Sequence, residues 1–332
     1  MKVAVLGCGG FGTALAVTLA RAGRDVAMWG HDPENTKALE AKRHNERYLE
    51  GVRLPDSVLV TTDSQAALRG AACALVAVPT QHIRAALSPM AQQGQLRRGL
   101  PLVSLAKGME QSTGLRPSEV IAQVAAPGEC VYVLSGPSHA EEVARSIPTT
   151  VVIAGHDQRE LHDLQGLLST PTFRIYRNAD VVGVELCGAL KNVMALAAGI
   201  ADGLGCGDNT KAAILSRGIV EMTRFGKACG ADERTFFGLA GVGDLAVTAF
   251  SRHGRNRAFG ERIGKGETVQ QALAASPKVA EGVWTSRVVA ERAHAMQVEM
   301  PIADAVSRVL WFGLPPQQAV KALMERDPKA EA

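Results

Sequence analysis

The chain has 332 residues, 46% of them hydrophobic and 21% charged, and its 34 glycines follow no three-residue period. This excludes a disordered or fibrous protein and leaves enough chain for two domains. Thirty-six Lys and Arg against 33 Asp and Glu give a net charge of +3, too even a balance for a general polyanion or membrane-surface binder, so any anion site must be local. Cys8, Cys73, Cys130, Cys187, Cys206 and Cys229 form no Cys-x-x-Cys pair and read as reduced thiols of a cytoplasmic protein. Gly7, Gly9 and Gly10 interrupt the stretch where an export signal would need its apolar run.

The first half alternates short β-branched runs with amphipathic stretches. The runs Val3–Leu6, Val26–Trp29, Val58–Val60, Ala74–Val78, Leu102–Ser104 and Val131–Leu134 are predicted strands of βαβ units in a parallel sheet. Thr149–Ala154 and Phe173–Tyr176 extend that sheet, with a helix predicted over Gln158–Leu168. Beyond Asn178 the strand pattern stops, and Ala- and Leu-rich helical spacing runs on, broken at Gly203–Gly207, Gly254, Gly264–Gly266, Pro301 and Pro315. Val181–Ala201 has the length of a membrane span but carries Glu185, Lys191 and Asn192, so it reads as a buried helix and no membrane span is expected.

Gly7-Cys8-Gly9-Gly10-Phe11-Gly12 is a G-x-G-x-x-G between the first strand and a helix running to about Ala22. Gly7 permits the tight turn, Gly9 lets backbone approach a pyrophosphate, and Gly12 lets helix and strand pack closely, while the helix N-terminus favours an anion. The expected architecture is therefore α/β: an N-terminal Rossmann-type, mostly parallel sheet domain over residues 1–180, followed by an all-α helical domain over 181–332. Asp32 is a candidate for the acid that reads a ribose, but it precedes Pro33 and could equally cap a helix. NAD and NADP both stay open.

Lys191 is one of three polar residues among the 21 from Val181 to Ala201, and its helical neighbours are apolar or small. Burial would lower its pKa toward the range useful for proton exchange, unless the side chain snorkels to water. Hydride exchange between a nicotinamide and a carbonyl makes or consumes an alkoxide, which needs a proton and a cation beside it, and Lys191 can supply both. Lys107 follows Leu102–Ser104 at the carboxyl edge of the sheet, where ligands of open α/β sheets gather, although a solvated loop lysine would look the same. Ser135-Gly136-Pro137-Ser138 lies at the same edge, with Ser138 either a ligand contact or an N-cap. Gly241-Val242-Gly243-Asp244 and the basic stretch Ser251–Arg257 suggest a grip for a small phosphate, its guanidinium groups offering forked donors and Asn256 an amide donor. With only Phe259 nearby to stack, no nucleic-acid partner is expected. The eight histidines show no ligand spacing, and no metal is expected.

Four blocks together resemble the bacterial-type NAD(P)-dependent sn-glycerol-3-phosphate dehydrogenases over nearly the whole chain: Gly7–Ala16; Lys107-Gly108 with Ser135–Ser138; Gly188-Ala189-Leu190-Lys191-Asn192 running to Asn209; and Gly238–Asp244 with Arg255-Asn256-Arg257. The resemblance implies interconversion of sn-glycerol 3-phosphate and dihydroxyacetone phosphate with NAD or NADP, supplying glycerol phosphate for phospholipid synthesis, in a cytoplasmic protein that by analogy is a homodimer. It implies Lys191 as proton carrier assisted by Lys107, and substrate contacts from Lys107, Gly136, Ser138, Lys191, Asp244, Gly254, Arg255 and Asn256. It also implies that Gly10, Phe11, His31, Lys107, Ala140, Arg255, Val279 and Glu281 match cofactor-contacting positions. The chain departs from the family at Gly254, usually Ser, at Phe11, usually Trp, and at His139, usually Phe; at Gly254 only a main-chain N–H remains to bind. The alternatives are a related dehydrogenase of another hydroxy acid or sugar acid, or a dinucleotide-sensing module without catalysis.

Overall fold

The computed structural model describes residues 1–125, 131–251, 254–275, 280–328 and 330. The strands are β1 (Lys2–Leu6), β2 (Asp25–Trp29), β3 (His44–Asn45), β4 (Leu49–Arg53), β5 (Leu59–Thr61), β6 (Ala71–Val76), β7 (Leu102–Ser104), β8 (Val131–Ser135), β9 (Thr149–Ala154) and β10 (Phe173–Asn178). Eight of them make one sheet in the order β10-β9-β8-β7-β6-β1-β2-β5, and β3 and β4 form a separate hairpin. Every pairing in the large sheet is parallel except β8 with β9.

The strands alternate because both faces of the sheet are covered. Val3 and Val5 pack with Ala14 and Leu15 of the helix Gly10–Arg21, whereas Ala4 and Leu6 pack with Ala67 and Leu87 on the other face. β1 lies between β2 and β6, with Leu6 opposite both Trp29 and Val76. The strand order reverses at this point, opening a crevice at the carboxyl ends of β1 and β6. The helix Gln158–Leu168 falls where its spacing placed it.

From Val181 onward the described elements are helical. Asp180 accepts the Gly183 N–H at 2.8 Å and starts the helix Val181–Gly203. That helix is long and apolar enough to cross a bilayer, yet 94% of its most apolar window is buried, which makes it the core of the helical half. Gly199, Gly203, Gly260 and Gly264 bring it backbone to backbone with the helix Arg255–Gly264: a Cβ on Gly199 would lie 2.0 Å from the Arg257 carbonyl oxygen, and one on Gly260 would lie 2.3 Å from that of Leu196. This close crossing sets the start of the second helix beside the middle of the first.

Two features depart from the sequence reading. The β3–β4 hairpin was not foreseen, because β3 is a polar pair and β4 has the weak pattern Leu-Glu-Gly-Val-Arg. The run Thr149–Ala154 does extend the sheet, but antiparallel to β8.

Candidate active site

The turn after β1 is shaped by backbone crowding. Gly7 has φ +124°, its N–H donates to the Trp29 carbonyl at 2.8 Å, and a Cβ there would sit 2.6 Å from the Ala77 carbonyl oxygen. A Cβ on Gly12 would meet the Gly7 carbonyl oxygen at 2.4 Å, which enforces the close packing of helix on strand. A Cβ on Gly9 would meet nothing nearer than the Ala77 oxygen at 4.0 Å, so this residue opens onto free space above the helix N-terminus. Such a cradle of main-chain N–H groups beside open space fits a dinucleotide pyrophosphate. The hairpin closes one flank: Asn45 Nδ2 donates to the Cys8 carbonyl at 2.9 Å and to Thr13 Oγ1 at 2.7 Å, and the Tyr48 carbonyl lies against Gly10. Ala140, at the start of the helix Ala140–Ala144, closes the other, its Cβ being 3.8 Å from where a Gly10 Cβ would stand. Phe11 is half-buried against the sheet-domain core, and His31 is exposed just beyond β2, its ring 6.1 Å from that of Trp29.

The second group of residues converges from four remote segments. A π-helical turn, Leu239–Gly243, delivers Asp244 to the first turn of the helix Asp244–Phe250. Asp244 is 1% exposed and lies between two lysines, with Lys191 Nζ 2.6 Å from Oδ1 and Lys107 Nζ 2.6 Å from Oδ2. Lys191 Nζ also donates to Thr248 Oγ1 at 2.6 Å, and Lys107 Nζ donates to the Gly136 carbonyl at 2.8 Å. Gly136 has φ +128°, which turns that carbonyl toward Lys107, and Ser138 Oγ donates to the same oxygen at 3.0 Å. Ser138 is thus not an N-cap; His139 occupies that position.

Burial pushes the Lys191 ammonium down to about 8, the charges of Lys107 and Arg255 act in the same direction, and Asp244 opposes them. Burial works to raise the Asp244 carboxyl, but the two lysines outweigh it and hold the group below its ordinary value. Lys107, Lys191 and Arg255 outnumber the carboxylates of Asp244 and Glu281, a balance that suits an anionic substrate and a developing alkoxide. His139 is depressed by burial and then by the charge of Lys191.

A ring of hydrogen bonds ties this cluster together. Asn192 Nδ2 donates to the Lys107 carbonyl at 2.8 Å, Asn256 Nδ2 donates to Asn192 Oδ1 at 2.9 Å, and the Gly282 N–H donates to Asn256 Oδ1 at 3.0 Å. Next to Gly282, the Glu281 carboxylate accepts the N–H groups of Thr80 at 2.7 Å and Lys107 at 3.2 Å. The main chain of Lys107 is therefore held on both sides by the helical half.

These contacts revise several readings. Both ends of the Asn256 amide are engaged within the protein, so the residue's clearest offer to a phosphate is its main-chain N–H in the first turn of Arg255–Gly264. The Gly254 N–H is engaged too, donating to the Ser251 carbonyl at 3.1 Å; Gly254 instead permits close packing, since a Cβ would lie 2.7 Å from the Thr248 carbonyl oxygen. Arg257 is engaged by Asp202 at 3.0 Å and Glu261 at 2.9 Å; Arg255, exposed at the first position of the helix, is the candidate phosphate cation. Asp32 is an N-cap, accepting from the N–H groups of Glu34 and Asn35. Val279 lies outside the described residues. Sequence reasoning missed Thr248, although Asp244 and Thr248 share a helix face at i, i+4.

The chain was compared with known proteins. Family models described as the N-terminus and the C-terminus of NAD-dependent glycerol-3-phosphate dehydrogenase match residues 2–161 and 180–321. The chain is 46% identical to a Chlorobium limicola protein named glycerol-3-phosphate dehydrogenase [NAD(P)+], over 100% of this chain and 99% of the relative. It is 47% identical to one of the same name from Thermobifida fusca, over 99% and 98%. The crystal structure of glycerol-3-phosphate dehydrogenase from Coxiella burnetii superposes with a TM-score of 0.93 at 36% identity, covering 98% of this chain and 99% of that one. With a glycine cradle, a lysine pair on one buried carboxylate, and these matches over its whole length, the chain belongs to the NAD-dependent glycerol-3-phosphate dehydrogenase family.

Proposed function

We propose that the protein interconverts sn-glycerol 3-phosphate and dihydroxyacetone phosphate with NAD(P), working toward glycerol phosphate for phospholipid synthesis. The observation that carries this reading is the Lys191–Asp244–Lys107 cluster, buried at the carboxyl edge of the sheet beside the glycine cradle. When bound, the nicotinamide cofactor supplies the hydride that reaches C2 of the ketone. Lys191, protonated below about pH 8, gives its proton to the alkoxide forming on C2 and takes it back in the reverse direction. Lys107 adds positive charge at the same oxygen, and Asp244 holds both amines in place while lowering the cost of their proximity. Thr248, donating to the Asp244 carbonyl at 2.6 Å, offers Lys191 an oxygen acceptor and fixes its direction.

The substrate phosphate is assigned to Arg255 and the main-chain N–H groups that open the helix Arg255–Gly264. Gly136 and Ser138 line the opposite wall, Gly254 packs the start of that helix close against Thr248, and Glu281 places Lys107 as well as standing near the cofactor. The cofactor is assigned to Gly7, Gly9, Gly10, Phe11 and Gly12, flanked by His31 and Ala140. The division between cofactor-binding and substrate-binding domains is put at 180/181, where β10 gives way to the long helix. The family relationship further supports a cytoplasmic homodimer.

The test is to follow oxidation of NADH and, separately, of NADPH by purified protein with dihydroxyacetone phosphate. Oxidation dependent on the phosphorylated ketone is expected. Oxidation with an unphosphorylated hydroxy- or keto-acid instead would transfer the protein to another substrate class.

A further inference from the structure

The sequence is compatible with either NAD or NADP, and the end of β2 decides between them. The register that sets Leu6 opposite Trp29 also brings the segment Gly30-His31-Asp32 off the sheet at the level of the glycine cradle. A pyrophosphate on that cradle places the adenosine ribose at this segment, where an acid reads a 2′-hydroxyl and an arginine accommodates a 2′-phosphate. Here both are present. Asp32 Oδ1 is committed to capping the helix Pro33–Lys42, while its Oδ2 faces Arg47 Nη1 at 3.6 Å, an ion pair beyond hydrogen-bond distance with both side chains about half exposed.

Arg47 is brought there by the hairpin. Asn45, two residues earlier, is pinned to Cys8 and Thr13 of the cradle, and the Arg47 guanidinium packs over the Tyr48 ring at 5.1 Å. Tyr48 in turn places its carbonyl against Gly10. Asp32 is held in place by its cap to Glu34 and Asn35 and by Thr36 Oγ1, which donates to the Asp32 carbonyl at 2.6 Å. The nearby Lys42 is drawn instead to Glu46 at 3.1 Å.

Resting on the dehydrogenase reading, we propose that Arg47 is the specificity-determining residue that admits the 2′-phosphate of NADP, at a position where Asp32 alone would exclude it. With NAD, the 2′-hydroxyl donates to Asp32 Oδ2 and the ion pair persists. With NADP, the phosphate repels the carboxylate, and the guanidinium leaves its loose contact with Asp32 for a forked pair of hydrogen bonds to phosphate oxygens. One chain can then take both cofactors, with the balance set by these two charges.

The experiment is equilibrium binding, read from the fluorescence of NADPH and of NADH titrated into full-length protein without substrate. Arg47→Ala is expected to weaken NADPH by about 10- to 100-fold, the loss of a charged hydrogen-bonded partner, and NADH by less than about 3-fold. Asp32→Asn keeps a competent N-cap and is expected to tighten NADPH relative to NADH by about 3- to 10-fold. If the two dissociation constants move together in Arg47→Ala, or NADPH does not move, the assignment is overturned. Should Arg47→Ala fail to fold, an unchanged NADPH to NADH ratio in Asp32→Asn overturns it equally. Loss of both cofactors in the wild-type protein would instead overturn the dehydrogenase reading, and this inference with it.

Discussion

The glycine cradle lies wholly in the sheet half and the lysine cluster draws on both halves of the molecule, and the two are made in opposite ways. The cradle is local and built from backbone: six consecutive residues, a positive φ at Gly7, and three places, Gly7, Gly10 and Gly12, where any Cβ would collide with main chain. The cluster is remote and built mainly from side chains: Lys107, Lys191 and the helix-mates Asp244 and Thr248 arrive from three separate segments, with the Gly136 carbonyl from a fourth, and are tuned by burial and mutual charge. The first binds by what is absent, the second acts through what is present, and their tolerance of substitution should differ accordingly.

The largest expected effect breaks the second and spares the first. Lys191→Ala should lower kcat by about two to four orders of magnitude, the range for removing a general acid or base, while cofactor affinity measured by fluorescence stays within about 3-fold. Near wild-type turnover in that variant would remove Lys191 as the proton carrier.

Next comes pH. Because Lys191 is depressed to about 8, ketone reduction should fall about 10-fold per unit above that pH as the ammonium is lost, and alcohol oxidation should rise up to about that pH and level off above it as the free amine saturates. Rates flat from pH 7 to 10 would contradict this. The linked stability change has the opposite sign to an ordinary ion pair: between about 8 and the ordinary 10.5 the unfolded chain holds a proton that the folded chain has lost, so stability rises with pH in that window.

Within the cradle, two neighbouring glycines separate packing from binding. Gly12→Ala puts a methyl 2.4 Å from the Gly7 oxygen and should cost about 1–3 kcal/mol in stability, seen in denaturant unfolding. Gly9→Ala meets open space and should leave stability within about 0.5 kcal/mol, while raising the cofactor KM by about 10-fold because the methyl occupies the approach of the pyrophosphate. Equal effects on stability would mean that the cradle is packing alone.

The smallest effect concerns a second buried carboxylate of the helical half. Glu221 accepts the N–H groups of Ile302 at 2.8 Å and Ala303 at 3.2 Å, without the two contacting lysines that hold Asp244 down. Burial carries it up from 4.5 to about 7. The folded protein then keeps a proton that the unfolded chain loses as pH rises from about 4.5 to 7, and stability falls across that range. Glu221→Gln should remove this pH-dependent loss at the cost of one of the two N–H contacts, so that its melting temperature relative to wild type should be about 2–4 °C more favourable at pH 8 than at pH 5. A larger gain at pH 5 would reverse the assigned sign.

The contrast also explains what could be read in advance. β1, β2, β7, β9 and the helix Gln158–Leu168 were legible within a residue or two, since strand alternation, glycine turns and caps are written in neighbouring residues. The hairpin was hidden because it is polar and takes its position from Asn45 docking on the cradle. Lys191 stood out as a charge in an apolar helix, but the same pattern could not show that Asn256 and Arg257 are spent on internal partners.

By itself, the amino-acid sequence determined the sheet, the long core helix, the glycine turn and the presence of one poorly solvated lysine, because each depends on the periodicity and steric demands of a short window. Only the tertiary structure decided that Asp244 lies between Lys191 and Lys107, that β9 runs against β8, and that Arg47 meets Asp32. Those depend on which segments the core brings within a few ångströms, and at that range burial and charge, rather than residue type, set what a side chain can do.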